Sequence, residues 1–213
     1  MSVDELSFVE RDCGDSAVFY STKSFPRFKA LQENWKVIAN ELRHLNAPLT
    51  SIDRVNKTHA QVYAEVKAWI ASGGEYGWLK GWGPDGANES WIQYGLIFED
   101  DVVPFVPDRL SRTCSLLKAI PGIRVGAFVT MRPSTFLPTH QHPELTECGA
   151  LQMHLTLSAC EEGNYSYLNV CGQFRQHVPG DLFVFDGSKE HFALNASNSD
   201  RTILYLEFYK DVI

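Results

Sequence analysis

A chain of 213 residues in which 44% are apolar and 21% charged is long enough to bury a sizeable core, and one compact domain is the expectation. Its 26 acidic against 19 basic residues leave a formal charge of -7, and no lysine or arginine cluster could neutralise a run of phosphates, which argues against nucleic acid as a partner. No apolar run reaches the roughly 18 to 20 residues of a membrane span. Met1 to Arg11 carries acidic residues where a signal peptide would start basic, so a cytoplasmic protein with no membrane partner is expected.

From Phe28 onward Phe28, Leu31, Trp35, Ile38, Leu42 and Leu45 recur at steps of three and four, the stripe of an amphipathic helix. Pro26 suits its start. A second helix is predicted over about 58–72, with Val62, Val66, Trp69 and Ile70 on its buried side and Gly73-Gly74 stopping it. Gly81 to Gly86 spells G-x-G-x-x-G, but Pro84 interrupts it and no strand-then-helix context surrounds it, so it reads as a loop. A third, short helix is predicted from Asp108 as N-cap through Leu110, Cys114 and Leu117 to the Pro121-Gly122 break.

Past residue 122 short β-rich runs follow one another: Ile123 to Met131, Ala150 to Ser158, Tyr165 to Val170, Asp181 to Phe185 and Thr202 to Phe208. Val178-Pro179-Gly180-Asp181 reads as a tight turn between two of them. A mainly β fold follows, and a jelly-roll barrel flanked by N-terminal α-helices avoids leaving long open sheet edges.

The five cysteines are odd in number, scattered and without C-x-x-C, so free buried thiols are expected rather than a disulfide framework or a zinc–thiolate site. The histidines His140, His142, His154 and His191 lie in the β half. In the run Leu151 to Leu157 the leucines and Met153 point to one face, and Gln152, His154 and Thr156 to the other. That polar row either lines a cavity or meets solvent. His140-Gln141-His142 is an H-x-H whose imidazoles share a face if the segment is extended, and a distant His191 could complete a metal site. The H-E-x-x-H, phosphate-loop and G-x-S-x-G signatures are all absent from the sequence. Arg201 opens the last strand, where Arg201, Ile203, Tyr205 and Glu207 share one side. Its planar fork suits a carboxylate; a surface ion pair is the alternative.

Several separated segments, in order, resemble the aspartyl/asparaginyl β-hydroxylase family of iron(II)- and 2-oxoglutarate-dependent oxygenases. They are Glu33 to Ile38, Trp91 to Tyr94, Cys114 to Leu117, Met131-Arg132-Pro133 through Pro138-Thr139-His140, Met153-His154-Leu155, Gly180 to Phe185, Asp186 to His191, and Arg201. The likeness runs from about Phe25 to Phe208. It implies a double-stranded β-helix, with an N-terminal extension over 1–24 and a single oxygenase domain over 25–213, helical over 25–120 and a jelly-roll core over 121–210. It implies Fe(II), 2-oxoglutarate as co-substrate and O2. His140 and His191 match the iron-binding histidines, and Arg201 the arginine that pairs with the distal carboxylate of 2-oxoglutarate, making these three the catalytic set. His154 matches a histidine near the keto-acid end.

Two positions depart from the family. Gln152 stands where most relatives have arginine, so the near carboxylate meets a neutral amide. Gly187 replaces the second acid of an F-D-D-S run, which bears on support for His191. His142 stands where ordinary facial triads carry Asp or Glu; it is read as a substrate contact or bystander, with a third metal ligand as the alternative. Trp91, with Trp78 and Trp82, lines the substrate entrance or else packs in the core.

The implied reaction hydroxylates an unactivated C–H, such as the β-carbon of an Asp/Asn-like amino acid, free, carrier-bound or in a peptide, with release of succinate and CO2. The expected partners are thus a small-molecule or peptide substrate, for a monomer or homodimer. Two alternatives stand beside this reading. One is a three-histidine, cupin-like dioxygenase independent of 2-oxoglutarate, and the other a non-catalytic barrel that binds a carboxylate.

Overall fold

The N-terminal apolar stripe does fold as helix, in two pieces. In the computed structural model, which describes residues 17–83 and 86–212, a two-residue strand β1 (Phe19–Tyr20) precedes α1 (Lys29–Glu33) and α2 (Trp35–Arg43). The expected single helix breaks at Asn34, with φ -102° and ψ 13°. Its side chain turns back to donate to the Ala30 carbonyl at 2.8 Å, the local competition for backbone groups that makes asparagine a poor helix interior. The face is as the spacing requires: Phe28, Leu31 and Ile38 are buried, with Trp35, Leu42 and Leu45 packed against the same core.

The second helix, α3 (His59–Ala71), starts in a capping box between Thr58 and Gln61. Val62 and Val66 are buried as expected, but Trp69 is 37% exposed. Its indole lies over Gly74 and donates to the Glu75 carbonyl at 2.9 Å instead of entering the core.

The segment expected to be helical up to residue 120 also holds β2 (Leu79–Gly83), β3 (Gly86–Phe98) and β4 (Asp101–Val102). Trp91, Ile92, Gln93 and Tyr94 of β3 are buried in succession, so both faces are covered and no alternation marks the strand in the sequence. The glycine-rich run therefore belongs to a β2–β3 pair, with Pro84 and Asp85 outside the described residues.

Asp108 does not cap the third helix. It lies in a 3-10 turn, and α4 (Ser111–Lys118) follows with no cap from its own end. The carboxylate of Glu41 on α2 does that work instead, accepting from the backbone N–H groups of Arg112 (3.1 Å) and Thr113 (2.8 Å) and from the Thr113 hydroxyl (2.6 Å). A negative group on these N–H donors satisfies them and matches the helix dipole. Glu41→Ala is expected to lower stability by about 2 kcal/mol, read as a shifted denaturant midpoint with an unchanged slope.

The remaining strands are β5 (Ile123–Met131), β6 (Thr135–His140), β7 (Ala150–Ser158), β8 (Ser166–Val170), β9 (Gln173–Gln176), β10 (Leu182–Phe185), β11 (His191–Asn195) and β12 (Arg201–Tyr209), with a short α5 (Pro143–Glu147) between β6 and β7. They form two antiparallel sheets, one in the order β1-β10-β7-β12-β5-β3-β2 with β4 on β3, the other β6-β11-β8-β9. From β5 to β12 the chain passes back and forth between the sheets except at the β8–β9 pair, which makes the fold a double-stranded β-helix with helices on its outside. Residues 17–24 are not a free extension, since Phe19 and Tyr20 pair with Phe185 and Val184 at the edge of the large sheet; residues 1–16 lie outside the described residues.

The two readings of β7 are resolved by what each face meets. Leu151, Met153, Leu155 and Leu157 pack with the helices in the main core, while Gln152, His154 and Thr156 face between the sheets and are 2%, 7% and 0% exposed. The Val178 to Asp181 turn closes with a 2.9 Å hydrogen bond from Asp181 N–H to the Val178 carbonyl, and Gly180 carries its positive φ of 90° against the Trp35 indole. Cys114, Cys148 and Cys160 are free thiols, with Cys148 exposed rather than buried; Cys171 is disulfide-bonded, against the expectation of free thiols throughout. Among the described residues no helix is long and apolar enough to cross a membrane.

Candidate functional site

Strand register, rather than sequence distance, brings the histidines together. His191 opens β11 directly opposite His140, which ends β6. His142 lies just beyond β6, at the start of α5, with its backbone N–H donated to the Gly187 carbonyl at 2.9 Å. Ring centroids are 4.2 Å apart for His140 and His191, 5.1 Å for His140 and His142, and 5.5 Å for His142 and His191. One ring nitrogen from each lies within 4.8 Å of those of the others, a spacing that one ion can bridge.

The tautomers suit an ion as well. His140 Nδ1 contacts the Pro138 carbonyl at 2.7 Å, and His191 Nδ1 the Lys189 carbonyl at 2.7 Å. Because a carbonyl only accepts, Nδ1 holds the proton in both rings and Nε2 keeps its lone pair for a metal. His142 Nδ1 meets the Glu144 carboxylate at 3.2 Å in the same sense. The loop before His191 is tied by Asp186, which accepts from Ser188 N–H (3.0 Å) and from its hydroxyl (2.6 Å).

The histidines border a cavity of about 110 Å³ between the sheets, also lined by Arg54, Trp82, Trp91, Gln93, Gln152, His154, Arg201, Tyr205 and Glu207. Arg201 is not at the surface. It is 2% exposed, its Nη2 touches the Met131 sulfur beside it on β5, and its Nε is buried without a partner. No acidic side chain pairs with it among the described residues. Burial pulls it down to about 9, which still leaves a cation at neutral pH, and an unpaired buried cation costs several kcal/mol.

Gln152 turns one amide hydrogen to the Tyr205 hydroxyl (2.7 Å), which donates to Glu207 Oε1 (2.6 Å), while Glu207 Oε2 accepts from Arg124 (2.7 Å). Burial pushes the Glu207 carboxyl up, but hydrogen bonds from His59 and Tyr205 and the charge of Arg124 outweigh it and hold it at about 2. A side chain at position 187 would collide with the Gln152 amide. His154 packs against Phe185 and Tyr205, with Nδ1 3.2 Å from Nε2 of the fully buried His177.

Trp91 and Trp82 border the cavity, Trp82 edge-on to His140 at 4.9 Å. Trp78 instead packs on Tyr94 at 5.5 Å in the main core, away from the cavity. Sequence reasoning passed over Arg54, which sits in a loop without periodicity, and His177, whose neighbours gave no strand alternation.

Burial lowers His140 to about 4 and His191 to about 3, and pushes His154 and His177 well below the usual histidine value. The folded state thus keeps neutral rings that the unfolded chain protonates below about pH 6.5. The unfolded state binds more protons there, so stability falls as pH drops from 6.5 toward 4. Each such histidine contributes up to about 1.4 kcal/mol per pH unit. Thermal melts of the metal-free protein at pH 7 and pH 5 check this; equal melting temperatures would contradict it.

An ornithine lipid ester-linked acyl 2-hydroxylase from Rhizobium tropici is 30% identical over 98 residues, 46% of this chain and 34% of that protein, so the match spans about a third of the relative's length. Among solved structures, a 2OG-Fe(II) oxygenase family oxidoreductase from Burkholderia pseudomallei overlays with a TM-score of 0.48 at 13% identity, covering 84% of this chain and 91% of that one. A cupin domain of an XRE family transcriptional regulator from Enterobacter cloacae gives a TM-score of 0.38 at 16% identity, covering 57% and 98%. The profile of a family described as aspartyl/asparaginyl beta-hydroxylase matches residues 32–211. That match enters within α1, leaves after β12 and takes in every cavity residue named above, so the chain belongs to the aspartyl/asparaginyl β-hydroxylase family.

Proposed function

We propose that this hydroxylase-family chain is an iron(II)- and 2-oxoglutarate-dependent oxygenase that hydroxylates an unactivated C–H of an amino-acid-like substrate, free, carrier-bound or in a peptide. The observation that carries the reading is the unpaired, buried guanidinium of Arg201 facing the cavity that His140, His142 and His191 border. A site that holds a cation without a counter-ion is built for an anion, and a guanidinium fork matches a carboxylate. Iron held by the histidines would supply dioxygen activation coupled to oxidative decarboxylation of the keto acid to succinate.

The chain's own residues then have separate tasks. His140 and His191 present their Nε2 atoms to the metal, and the Pro138 and Lys189 carbonyls fix the rings. His142 belongs to the same cluster and is assigned here as the third ligand. Arg201 anchors the distal carboxylate and so orients the keto acid, with His154 lining the same cavity. Trp82, Trp91 and the apolar walls exclude water that would waste the oxidant.

The three-histidine cluster also favours a cupin-like dioxygenase that needs no keto acid, and one experiment separates the two. The protein is mixed with iron(II), 2-oxoglutarate and a panel of amino acids and peptides. Succinate released in proportion to oxidised substrate is the expected result; oxidation that proceeds without 2-oxoglutarate would replace this reading with the cupin-like one.

A further inference from the structure

A second guanidinium in the cavity has no task in that scheme. Arg54 comes from the loop ahead of α3 and stacks its guanidinium carbon 5.2 Å from the Trp91 ring centroid. Its Nη1 is buried with no hydrogen-bond partner. Stacking on an indole holds one face of the fork but satisfies none of its in-plane N–H donors.

Glu207, the acid that lines the cavity, does not fill this role. Its Oε1 is occupied by Tyr205 (2.6 Å) and His59 (3.3 Å), and its Oε2 by Arg124 (2.7 Å). Arg124 holds Glu207 in a direct ion pair, so Glu207 reaches Arg54 only as a nearby charge and leaves its Nη1 without a hydrogen-bond partner. A divalent metal and a dianionic keto acid would cancel in charge with both carboxylates counted, leaving the charges of Arg54 and Arg201 as the surplus beside the Glu207–Arg124 pair. The pocket stays electropositive within a chain of net charge -7, the setting in which a second anion binds.

We propose that Arg54, braced on Trp91, binds a carboxylate of the substrate, so that the cavity selects an acidic substrate over its amide counterpart. This rests on the oxygenase reading for what the bound molecule becomes, though not for its recognition. A hydrogen-bonded carboxylate would complete Arg54 as 2-oxoglutarate completes Arg201, and the two cations would hold co-substrate and substrate apart.

The test uses binding rather than turnover. Full-length protein is loaded with redox-inert Zn(II) and saturated with 2-oxoglutarate, then titrated calorimetrically with Ac-Asp-NH2 and with its neutral isostere Ac-Asn-NH2. The wild type is expected to favour the acid by about tenfold or more. Arg54→Gln should remove the preference, and Arg54→Lys, which keeps the charge but not the fork, should retain part of it. Absence of acid preference in the wild type, or its full survival in Arg54→Gln, overturns the proposal. Should the glutamine variant fold poorly, the wild-type and lysine titrations still decide. Failure of the oxygenase reading shows itself differently, as 2-oxoglutarate binding that ignores the metal, and the acid-over-amide comparison can then be repeated without either.

Discussion

Replacing Arg201 with methionine is expected to weaken 2-oxoglutarate binding by at least ~100-fold while leaving the ligand-free protein as stable as before, or more so. The first half follows from a forked, charge-assisted pair worth about 3 kcal/mol or more in a site closed to water. The second half follows from the absence of any acid beside Arg201 among the described residues. Methionine has comparable reach and no charge to desolvate, and exchanging an unpaired buried charge for an apolar side chain is expected to gain roughly 1–3 kcal/mol. Calorimetry on the metal-loaded protein and thermal melts of the apo form measure the two halves separately. Unweakened 2-oxoglutarate binding would remove Arg201 from the site, and a collapsed apo fold would show that an internal partner already holds it.

His191→Ala is expected to reduce metal affinity by more than ~100-fold, since loss of groups that merely orient a ligand already costs 10- to 100-fold. His140→Ala should do the same, because the two side chains face one another across a single β6–β11 pair. His142→Ala, as the third ligand, is expected to lower metal affinity as well; retained metal with impaired substrate oxidation would make it a substrate contact instead. Metal content after dialysis, compared with the mid-range thermal stability of each variant, keeps a ligand effect distinct from a folding defect.

How much of this could be read from the sequence depended on whether one face of an element met something different from the other. β7 was legible because it alternates, and β5 and β12 because they are rich in β-branched and aromatic residues between turn signals. β3 was not, since it is covered on both faces and Trp91, Ile92, Gln93 and Tyr94 are all buried, which leaves no regular alternation to read. The strands β6 and β11, which end and open on His140 and His191, carry no strand signal because one contains Pro138 and the other follows a polar loop. Their histidines stand out in the sequence all the same, through the H-x-H spacing and the family resemblance. Arg201 was ambiguous between surface and interior until the register on Met131 placed it between the sheets. Arg54 left no mark at all: a lone arginine in a loop acquires meaning only from what stacks on it.

The contact between Gln152 and Gly187 ties together two departures that the sequence presents as unrelated. The glutamine amide lies where any side chain at 187 would have to go, and its other end feeds the chain of hydrogen bonds through Tyr205 to Glu207. Residues 152 and 187 thus share one space. A side chain at 187 would push the Gln152 amide aside and so break its hydrogen bond to Tyr205, loosening the link to Glu207 without any change at 152.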